Sequence, residues 1–303
     1  MPFGGTIDVE RVAAEFEAGA TIVLQALHHS WRPLAEFSRA LEALLGHPVQ
    51  ANAYYTPRAA QGLAVHHDTH DVICLQISGE KRWLVYEPAV ELPLKDQRYS
   101  KELGEPGETV EDVTLRPGDT LYLPRGWLHE ALTSESDSLH LTIGVNVYTW
   151  LDALKAALEE CAGEVEFRRS VPVDGEAEAD LLGLLETRLS PDAVSRRRRR
   201  RFVKGRRPIL ADQLEQLRLL ERLTVDAPVE RRSTVIADLD FPSLSFEGKT
   251  LTFPERLRED VGFLVASEEP FTAGDLPGAL DDEGRLVLLR RLVREGYLRI
   301  LAA

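Results

Sequence analysis

The spacing of apolar residues changes along the chain. In the first half, short β-branched runs alternate with the period of a strand, while the apolar residues at 34, 37, 41, 44 and 45 follow a helical spacing that ends at Gly46. This half therefore predicts a mixed α and β fold. It predicts helices over 8–18 and 33–46, and β segments within 21–27, 49–57, 62–76, 79–88, 113–119, 120–132 and 138–146.

After Asn146 the pattern becomes mainly helical. It predicts helices over 149–162 and 179–189, another that starts at Ser190-Pro191, and a long one over 209–223 with an apolar stripe that can pair with another chain. Beyond residue 224, short β runs precede two helices, a short helix between them and a final strand. This order is typical of a winged helix.

Composition restricts the classes of function. The chain has 303 residues, 44% of them hydrophobic, as expected for a globular protein of up to three domains. A net charge of −14 argues against a general nucleic-acid binder and fits a basic protein or peptide partner. Two cysteines are too few for a disulfide framework, which favours a cytoplasmic location, and neither a signal peptide nor a membrane-spanning run is evident.

The clearest candidate chemistry lies in the segment GLAVHHDTHDVICLQ, residues 62–76. If a strand begins at the triplet His66-His67-Asp68, the first and third side chains share one face and His67 points away. Two histidines and one carboxylate are the ligand set of non-haem Fe(II) oxygenases. The best third ligand is His129, which follows a Pro-Gly-Asp turn and another predicted strand. An H-x-D triplet alone also occurs by chance.

Two longer segments resemble the JmjC-type cupins of the ribosomal oxygenase group, which are Fe(II)- and 2-oxoglutarate-dependent protein hydroxylases. They read NAYYTPRAAQGLAVHHDTHDVICLQISGEKRWLVYEP and LRPGDTLYLPRGWLHEALTSESDSLHLTIGV. The matching features are H-x-D, D-V-x-x-x-Q, G-x-K-R-W, the PGD turn, P-R-G-x-x-H and a closing H-x-T strand. The resemblance is strong over residues 20–150 and extends to the rest by layout only.

The resemblance implies an architecture and a metal site. Residues 1–148 are expected to form a catalytic double-stranded β-helix, the cupin jelly roll. A helical region over 149–223 and a C-terminal winged helix over 224–303 follow. We expect the helical region to form a homodimer, because its helices are too few for a core of their own. His66, Asp68 and His129 would bind Fe(II) and leave positions for 2-oxoglutarate and O₂.

Three further residues stand where the family contacts 2-oxoglutarate. Lys81 would pair with the distal carboxylate, since a dianion in a narrow barrel requires a cation. Asn52 would help to bind the same cosubstrate, and His140 would donate or accept a hydrogen bond. From the residues alone, other interpretations stay open: an exposed turn lysine, an edge-strand asparagine that caps a turn, and a satisfied interior histidine.

Other conspicuous residues have weaker signals. His28 and His29 have no partner at ligand spacing and are interpreted as structural, whereas His70 can meet substrate near the mouth of the barrel. The arginine run SRRRRRRFVKGRR, residues 195–207, is either an RNA-contacting patch or the solvated face of a helix end. We favour the second, because no aromatic residues for base stacking surround it.

The predicted function is hydroxylation of a side chain in a protein, and the resemblance implies a ribosomal one. Two alternatives remain: the same chemistry on a biosynthetic peptide or small molecule, and a non-catalytic metal-binding cupin that regulates transcription through its winged helix. Relatives in the family carry a further N-terminal segment, whereas this chain begins MPFGG inside that layout, so we expect a short or trimmed member.

Overall fold

The computed structural model describes residues 7–103, 106–133, 135–173, 180–210 and 212–301. The N-terminal MPFGG, on which the prediction of a short or trimmed member depends, lies outside these residues, as does residue 179 of one predicted helix. The chain divides into two compact units, Met1–Glu42 with His47–Val147 and Ala43–Gly46 with Tyr148–Ala303.

The first unit combines two short helices with antiparallel strands. Helix α1 (Val9–Glu17) begins where Asp8 accepts a hydrogen bond from the backbone N–H of Arg11 at 3.1 Å. Helix α2 (Arg32–Leu45) ends just before Gly46, whose φ of +65° only glycine adopts without strain. The strands are β1 (Ile22–Leu24), β2 (Val49–Thr56), β3 (Gln61–His66), β4 (Asp71–Ser78), β5 (Lys81–Pro88), β6 (Thr109–Leu115), β7 (Thr120–Leu123), β8 (Trp127–Leu132) and β9 (Ser138–Val145).

These strands form two sheets with the orders β1-β2-β9-β4-β7 and β3-β8-β5-β6. Strands from both sheets contribute to one apolar cluster, so the faces that carry it are turned towards each other. A second cluster joins α2 to β2 and β9 of the larger sheet. The members of the first cluster are Val72, Cys74, Trp83, Val85, Leu115, Leu123 and Ala131.

The second unit contains helices and short strands. Its helices are α3 (Trp150–Cys161), α4 (Leu181–Leu189), α5 (Pro191–Lys204), α6 (Gln213–Leu219), α7 (Arg258–Ala266) and α8 (Asp282–Glu295). Its strands are β10 (Val229–Arg231), β11 (Ala237–Asp240), β12 (Ser243–Phe246), β13 (Lys249–Thr252) and β14 (Leu298–Ile300). Strand β10 pairs with β14, and β11, β12 and β13 form an antiparallel sheet of their own.

The helix predicted over 209–223 is present but shorter than predicted. Only α6 is α-helical, a 3-10 turn follows over Leu220–Arg222, and the side chains of Leu220 and Leu223 are buried in the C-terminal core. Gln216 is also buried and bonds both backbone groups of Ile300, at 2.6 and 3.2 Å. The end of the stripe is thus covered by its own unit, whereas Leu214 and Leu217 are exposed by 79% and 40%, so only part of the stripe is a free surface for a second chain.

The first six arginines of the run lie in α5, and four of their guanidinium groups have acidic partners in the same unit. Arg197 reaches Glu160 at 2.7 Å, and Arg199 reaches Asp238 at 2.6 Å. Similar ion pairs join Arg200 to Asp240 and Arg201 to Asp152. The run therefore braces α5 against neighbouring elements and is more than a bare solvated face.

Across the described residues, no helix has both the length and the apolar character needed to cross a bilayer.

Candidate functional site

The H-x-D triplet does not open a strand. His66 is the last residue of β3, and Asp68 lies in the connection that leads to β4, so the argument from a single strand face was wrong. The backbone around Asp68 is instead fixed by the turn before β8: the N–H of Gly126 donates to the Asp68 carbonyl at 3.0 Å, and the N–H of Arg125 donates to Asp71 Oδ1 at 3.0 Å.

Gly126 is required at this turn. Its φ is +93°, and a Cβ there would lie 2.2 Å from the backbone oxygen of Val90. The P-R-G sequence thus lets two loops approach each other while it holds the Asp68 connection in place.

His66, Asp68 and His129 come together although they lie on three different elements. His66 is the direct register partner of His129 across β3 and β8, and their ring centroids are 4.5 Å apart. His129 Nε2 lies 3.7 Å from Asp68 Oδ2. Among the described residues, these three are the one group of His, Cys, Asp or Glu side chains with three ligand atoms within 4.8 Å of one another.

The hydrogen bonds of both rings favour one arrangement of protons. Nδ1 of His66 bonds the carbonyl of Ala64 at 2.8 Å, and Nδ1 of His129 bonds the carbonyl of Trp127 at 3.0 Å. A carbonyl can only accept, so each Nδ1 carries the proton and each Nε2 keeps a lone pair for a metal ion. Two such nitrogens and a carboxylate fit Fe(II) with three open positions.

Burial strengthens the ligand character of His129. Its ring is almost completely buried, and this burial, together with the neighbouring His66, lowers its pKa to about 4. The ring is therefore neutral at physiological pH, which is the form that binds a metal.

The other two histidines of the segment are not members of the ligand cluster, although His70 Nδ1 lies 3.9 Å from Asp68 Oδ1. His67 is buried, bonds the backbone oxygen of Gln97 at 3.0 Å through Nε2 and meets the edge of the Tyr99 ring. His70 bonds the amide of Gln50 at 2.8 Å and does not line the cavity that adjoins the three candidate ligands. Its predicted contact with substrate stays a prediction.

A cavity of about 60 Å³ adjoins the three candidate ligands. It is formed by residues of both sheets, including several that sequence reasoning did not select. Its lining residues are Thr21, Tyr54, Gly62, Leu63, His66, Asp68, Val72, Cys74, Lys81, Trp83, His129, Glu130, Ala131, His140 and Thr142.

Lys81 is not the exposed turn lysine that its sequence context also allowed. Only 3% of the residue is exposed, it lines the cavity, and its Nζ donates to Thr56 Oγ1 at 2.9 Å. Burial lowers the pKa of its ammonium group to about 8. A buried cation that donates to a neutral hydroxyl is suited to receive an anion.

His140 also lines the cavity, stacked on Tyr54 at 5.0 Å between ring centroids. Burial and the charge of Lys81 lower the pKa of His140 to about 3, so the ring is neutral. Its Nδ1 is buried and has no hydrogen-bond partner among the described residues. Such a group is suited to bind a ligand rather than to a satisfied interior position.

Asn52 is placed differently from the other two predicted contacts. Its side-chain oxygen accepts from the backbone N–H of Ala26 at 2.9 Å, and it is not among the residues that line the cavity. Ala26 has a φ of +57°, so Asn52 stabilises a turn, as the structural interpretation predicted.

Tyr54 occupies the place in the cavity that was expected for Asn52. The two residues share a face of β2, and this alternation was the signal that could have selected it. Burial raises the pKa of the Tyr54 hydroxyl, and the charge of Asp68 raises it further, so the hydroxyl stays protonated.

Comparison with known proteins identifies the fold and the relatives. A family profile described as "JmjC domain" matches residues 26–153. The chain is 44% identical over 141 residues to the bifunctional lysine-specific demethylase and histidyl-hydroxylase NO66 of Dictyostelium discoideum, which covers 42% of this chain and 26% of that protein. It is 37% identical over 174 residues to human ribosomal oxygenase 1, 52% of this chain and 26% of that protein.

A solved structure matches over more of the chain. The ribosomal oxygenase YcfD of Escherichia coli, in complex with cobalt and 2-oxoglutarate, superposes with a TM-score of 0.55 at 19% identity over 93% of this chain and 78% of that one. This likeness establishes the fold. The chain spans only about a quarter of the length of these two curated relatives. Residues 26–153 thus match the JmjC domain, and the chain shares the fold of the E. coli protein.

Proposed function

We propose that this chain is an Fe(II)- and 2-oxoglutarate-dependent oxygenase that hydroxylates a side chain of a ribosomal protein. The observation that carries the proposal is the pairing, within one cavity, of the cluster His66, Asp68 and His129 with the buried ammonium of Lys81. Cobalt and 2-oxoglutarate in the E. coli relative, and the names of the curated relatives, support the same chemistry.

In this proposal each residue has a defined task. His66, Asp68 and His129 would hold Fe(II) through two imidazole nitrogens and one carboxylate oxygen. Fe(II) bound there supplies the activation of O₂ that converts 2-oxoglutarate to succinate and CO₂ and places one oxygen atom in a substrate C–H bond. Lys81 binds the distal carboxylate, and the neutral His140 and Tyr54 hydrogen-bond and orient the cosubstrate. Asn52 acts indirectly, because it stabilises the turn at Ala26.

The buried surroundings of the cavity favour this assignment. Trp83, Val72 and Cys74 form apolar walls, which keep water from the space between the ligand cluster and Lys81. In a dry cavity an ion pair between Lys81 and a carboxylate is stronger than at the surface. The acidic chain, with a net charge of −14, attracts a basic ribosomal protein.

The test is a search for the missing modification. Ribosomal proteins from a strain without this chain should each be compared by mass spectrometry with those of the parent strain. The proposal predicts one protein that lacks the mass of one oxygen atom and regains it when incubated with purified chain, Fe(II), 2-oxoglutarate and O₂. Identical ribosomal proteins in the two strains, with no oxygen added in vitro, would contradict the ribosomal substrate.

We also propose that the chain is a homodimer through helix α3, in the region 149–223. A stripe of apolar side chains one turn apart is exposed on this helix: Trp150 by 76%, Leu154 by 42% and Leu158 by 55%. A second copy presents the same stripe, so a two-fold axis can pair it with itself. Light scattering should report a dimer for the parent chain, a monomer for Leu158→Glu, and a dimer for the control Leu214→Glu on α6. A monomeric parent chain at micromolar concentration would refute the dimer.

The C-terminal region, residues 224–303, is proposed to be a winged helix that docks protein rather than DNA. Helices α6, α7 and α8 with the β10–β14 pair support that outline. Two arginines of α8 contact groups within the region: Arg285 donates to the carbonyls of Gly274 and Leu276, and Arg291 lies over the ring of Phe253. An electrophoretic shift of DNA at physiological salt would contradict this assignment.

A further inference from the structure

The end of the cavity around Lys81 is built by three residues that have no role in the account above. Lys81 Nζ lies 2.9 Å from Thr56 Oγ1, which lies 3.0 Å from Thr21 Oγ1. Gly62 faces all three groups: a Cβ built on it would lie 2.9 Å from Thr21 Oγ1 and 3.2 Å from each of the other two atoms. The polar ends of Lys81, Thr56 and Thr21 therefore surround the space that a side chain at position 62 would occupy.

The direction of this hydrogen-bond chain follows from the donors available. An ammonium group only donates, so Thr56 Oγ1 must accept from Lys81. Thr56 is completely buried, and its own proton would be unsatisfied unless it is donated to Thr21. Thr21 Oγ1 then accepts, and its remaining O–H is free to donate. Because Thr21 lines the cavity, that O–H is available to a ligand.

The strand register places this group at a fixed distance from the candidate metal ligands. Strand β8 lies between β3 and β5, and His129 is opposite His66 on one side and Val85 on the other. Gly62 precedes His66 by four residues, and Lys81 precedes Val85 by four. Four residues of strand span about 13 Å. Both residues therefore lie on the same side of the rung of His129, but the irregular register of β3 places Gly62 between the rungs of Leu132 and Ala131, nearer to His129 than Lys81, which lies one residue beyond the rung of Leu132.

We infer that Thr21 and Thr56 fix the ammonium of Lys81 and add a second donor for the distal carboxylate, and that Gly62 sets the length of 2-oxo acid that the cavity accepts. This inference rests on the proposed function. Thr56 acts as a positioning residue, since it acts through Lys81. Gly62 determines specificity, because a methyl group there would occupy the space beside the ammonium that the carboxylate must enter.

The test measures binding rather than turnover, with Mn(II) in place of Fe(II) so that no reaction occurs. Calorimetry gives the dissociation constant of 2-oxoglutarate for the Mn(II)-loaded parent chain and for the variants. Thr56→Val, which keeps the shape and removes the hydroxyl, should weaken binding about 10- to 100-fold, the range for a hydrogen bond to a charged group. Thr56→Ser should restore most of the affinity. Thr21→Val should weaken binding to a smaller degree, because it removes one neutral donor.

Gly62→Ala tests the length of the ligand. We expect this substitution to weaken the binding of 2-oxoglutarate more than the binding of oxaloacetate. Oxaloacetate is one methylene shorter, so its distal carboxylate stays away from the new methyl group. Binding of Mn(II) alone, followed by electron paramagnetic resonance, should be unchanged in all four variants. An unchanged melting temperature identifies variants that have kept their fold.

The outcomes separate the two proposals. A parent chain that binds Mn(II) but no 2-oxoglutarate would overturn the proposed function and this inference with it. A parent chain that binds 2-oxoglutarate, with folded Thr56→Val and Thr21→Val variants that bind it equally well, would overturn the inference alone. Equal losses for 2-oxoglutarate and oxaloacetate in Gly62→Ala would overturn the role of Gly62 in selecting ligand length.

Discussion

The cavity between the two sheets and the arginine-rich helix α5 both concentrate polar side chains, but they satisfy them differently. In the cavity, Lys81 donates to a neutral hydroxyl and His140 keeps a buried nitrogen without a described partner. In α5, Arg197 is paired with Glu160, and Arg199 with Asp238. The sequence makes α5 far more conspicuous than Lys81 or His140.

This difference separates a ligand site from a scaffold. A buried polar group that lacks a partner of its own costs free energy, and a protein retains it where a ligand completes the contact. A charged group that already has a counter-ion has less to offer to a ligand. We therefore assign function to the cavity and a structural task to the arginine run, and the following experiments can break that division.

The largest effect is expected at the metal site. Asp68→Ala removes the carboxylate of the cluster and should abolish both metal binding at stoichiometric metal and formation of succinate. His29→Ala, on an exposed histidine outside the cavity, is the matched control and should change neither. Metal content after dialysis against a weak chelator measures the first, and succinate release the second. Parent-like metal retention in Asp68→Ala would remove Asp68 from the site.

Lys81→Met should have the next largest effect, a loss of affinity for 2-oxoglutarate. Loss of one partner of a buried ion pair typically costs about 3–5 kcal/mol, so the dissociation constant of 2-oxoglutarate should rise by at least about 100-fold. Arg82→Met, at the neighbouring exposed position of β5, is the control and should bind normally. Equal affinity in the two variants would exclude Lys81 as the partner of the carboxylate.

The same substitution should stabilise the protein without its ligand. Burial lowers the pKa of Lys81 from 10.5 to about 8. Below pH 8 the folded protein therefore carries a buried charge, which lowers the free energy of unfolding by about 3 kcal/mol. Between pH 8 and 10.5 the folded protein has lost this proton while the unfolded chain still binds it, so the cost is relieved as the pH rises. The free energy of unfolding of the parent chain should rise with pH in this window, relative to Lys81→Met. Urea titrations at pH 7, 8, 9 and 10 measure the free energy of unfolding of both proteins. If the two free energies change in parallel with pH, burial does not destabilise the charged form of Lys81.

Arg197→Ala should have a smaller effect, and it should lower the stability of the fold rather than the affinity for 2-oxoglutarate. It removes the hydrogen bonds to Glu160 and to the carbonyl of Arg188, and it should lower the free energy of unfolding by about 1–2 kcal/mol. The affinity for 2-oxoglutarate should not change, because Arg197 is not among the residues that line the cavity. A loss of cosubstrate affinity with unchanged stability would reverse the proposed division.

Arg200→Gln should have the smallest effect. Arg200 is half-exposed and paired with Asp240, and exposed pairs contribute about 0–1 kcal/mol. If α5 bound RNA, this variant would also reduce the salt dependence of RNA affinity. We expect no salt-dependent RNA binding in the parent chain by fluorescence anisotropy, and tight binding that Arg200→Gln weakens would restore the RNA interpretation.

Sequence reasoning selected residues better than it explained their geometry. His66, Asp68 and His129 were selected, yet Asp68 is held by the turn at Gly126 rather than by a shared strand face. Lys81 was selected only through the resemblance, because nothing local indicates that a lysine beside a Gly-Glu turn is buried.

Residues that depend on distant partners were missed. Thr21 and Thr56 meet Lys81 only through the pairing of β1 with β2 and the closure of the two sheets, which no local pattern records. The stripe over 209–223 had the right period, but its buried side belongs to the C-terminal core. Periodicity indicates which face of an element is buried, not which partner buries it.

The most direct test of the account is a single turnover. The purified chain is loaded with Fe(II) and 2-oxoglutarate without oxygen, then mixed with oxygenated buffer, and succinate is quantified against the concentration of chain. The account predicts succinate that approaches one molecule per chain in the parent protein and background amounts in Asp68→Ala and Lys81→Met. No succinate from a parent chain that retains Fe(II), or equal amounts from the parent and Asp68→Ala, would contradict it.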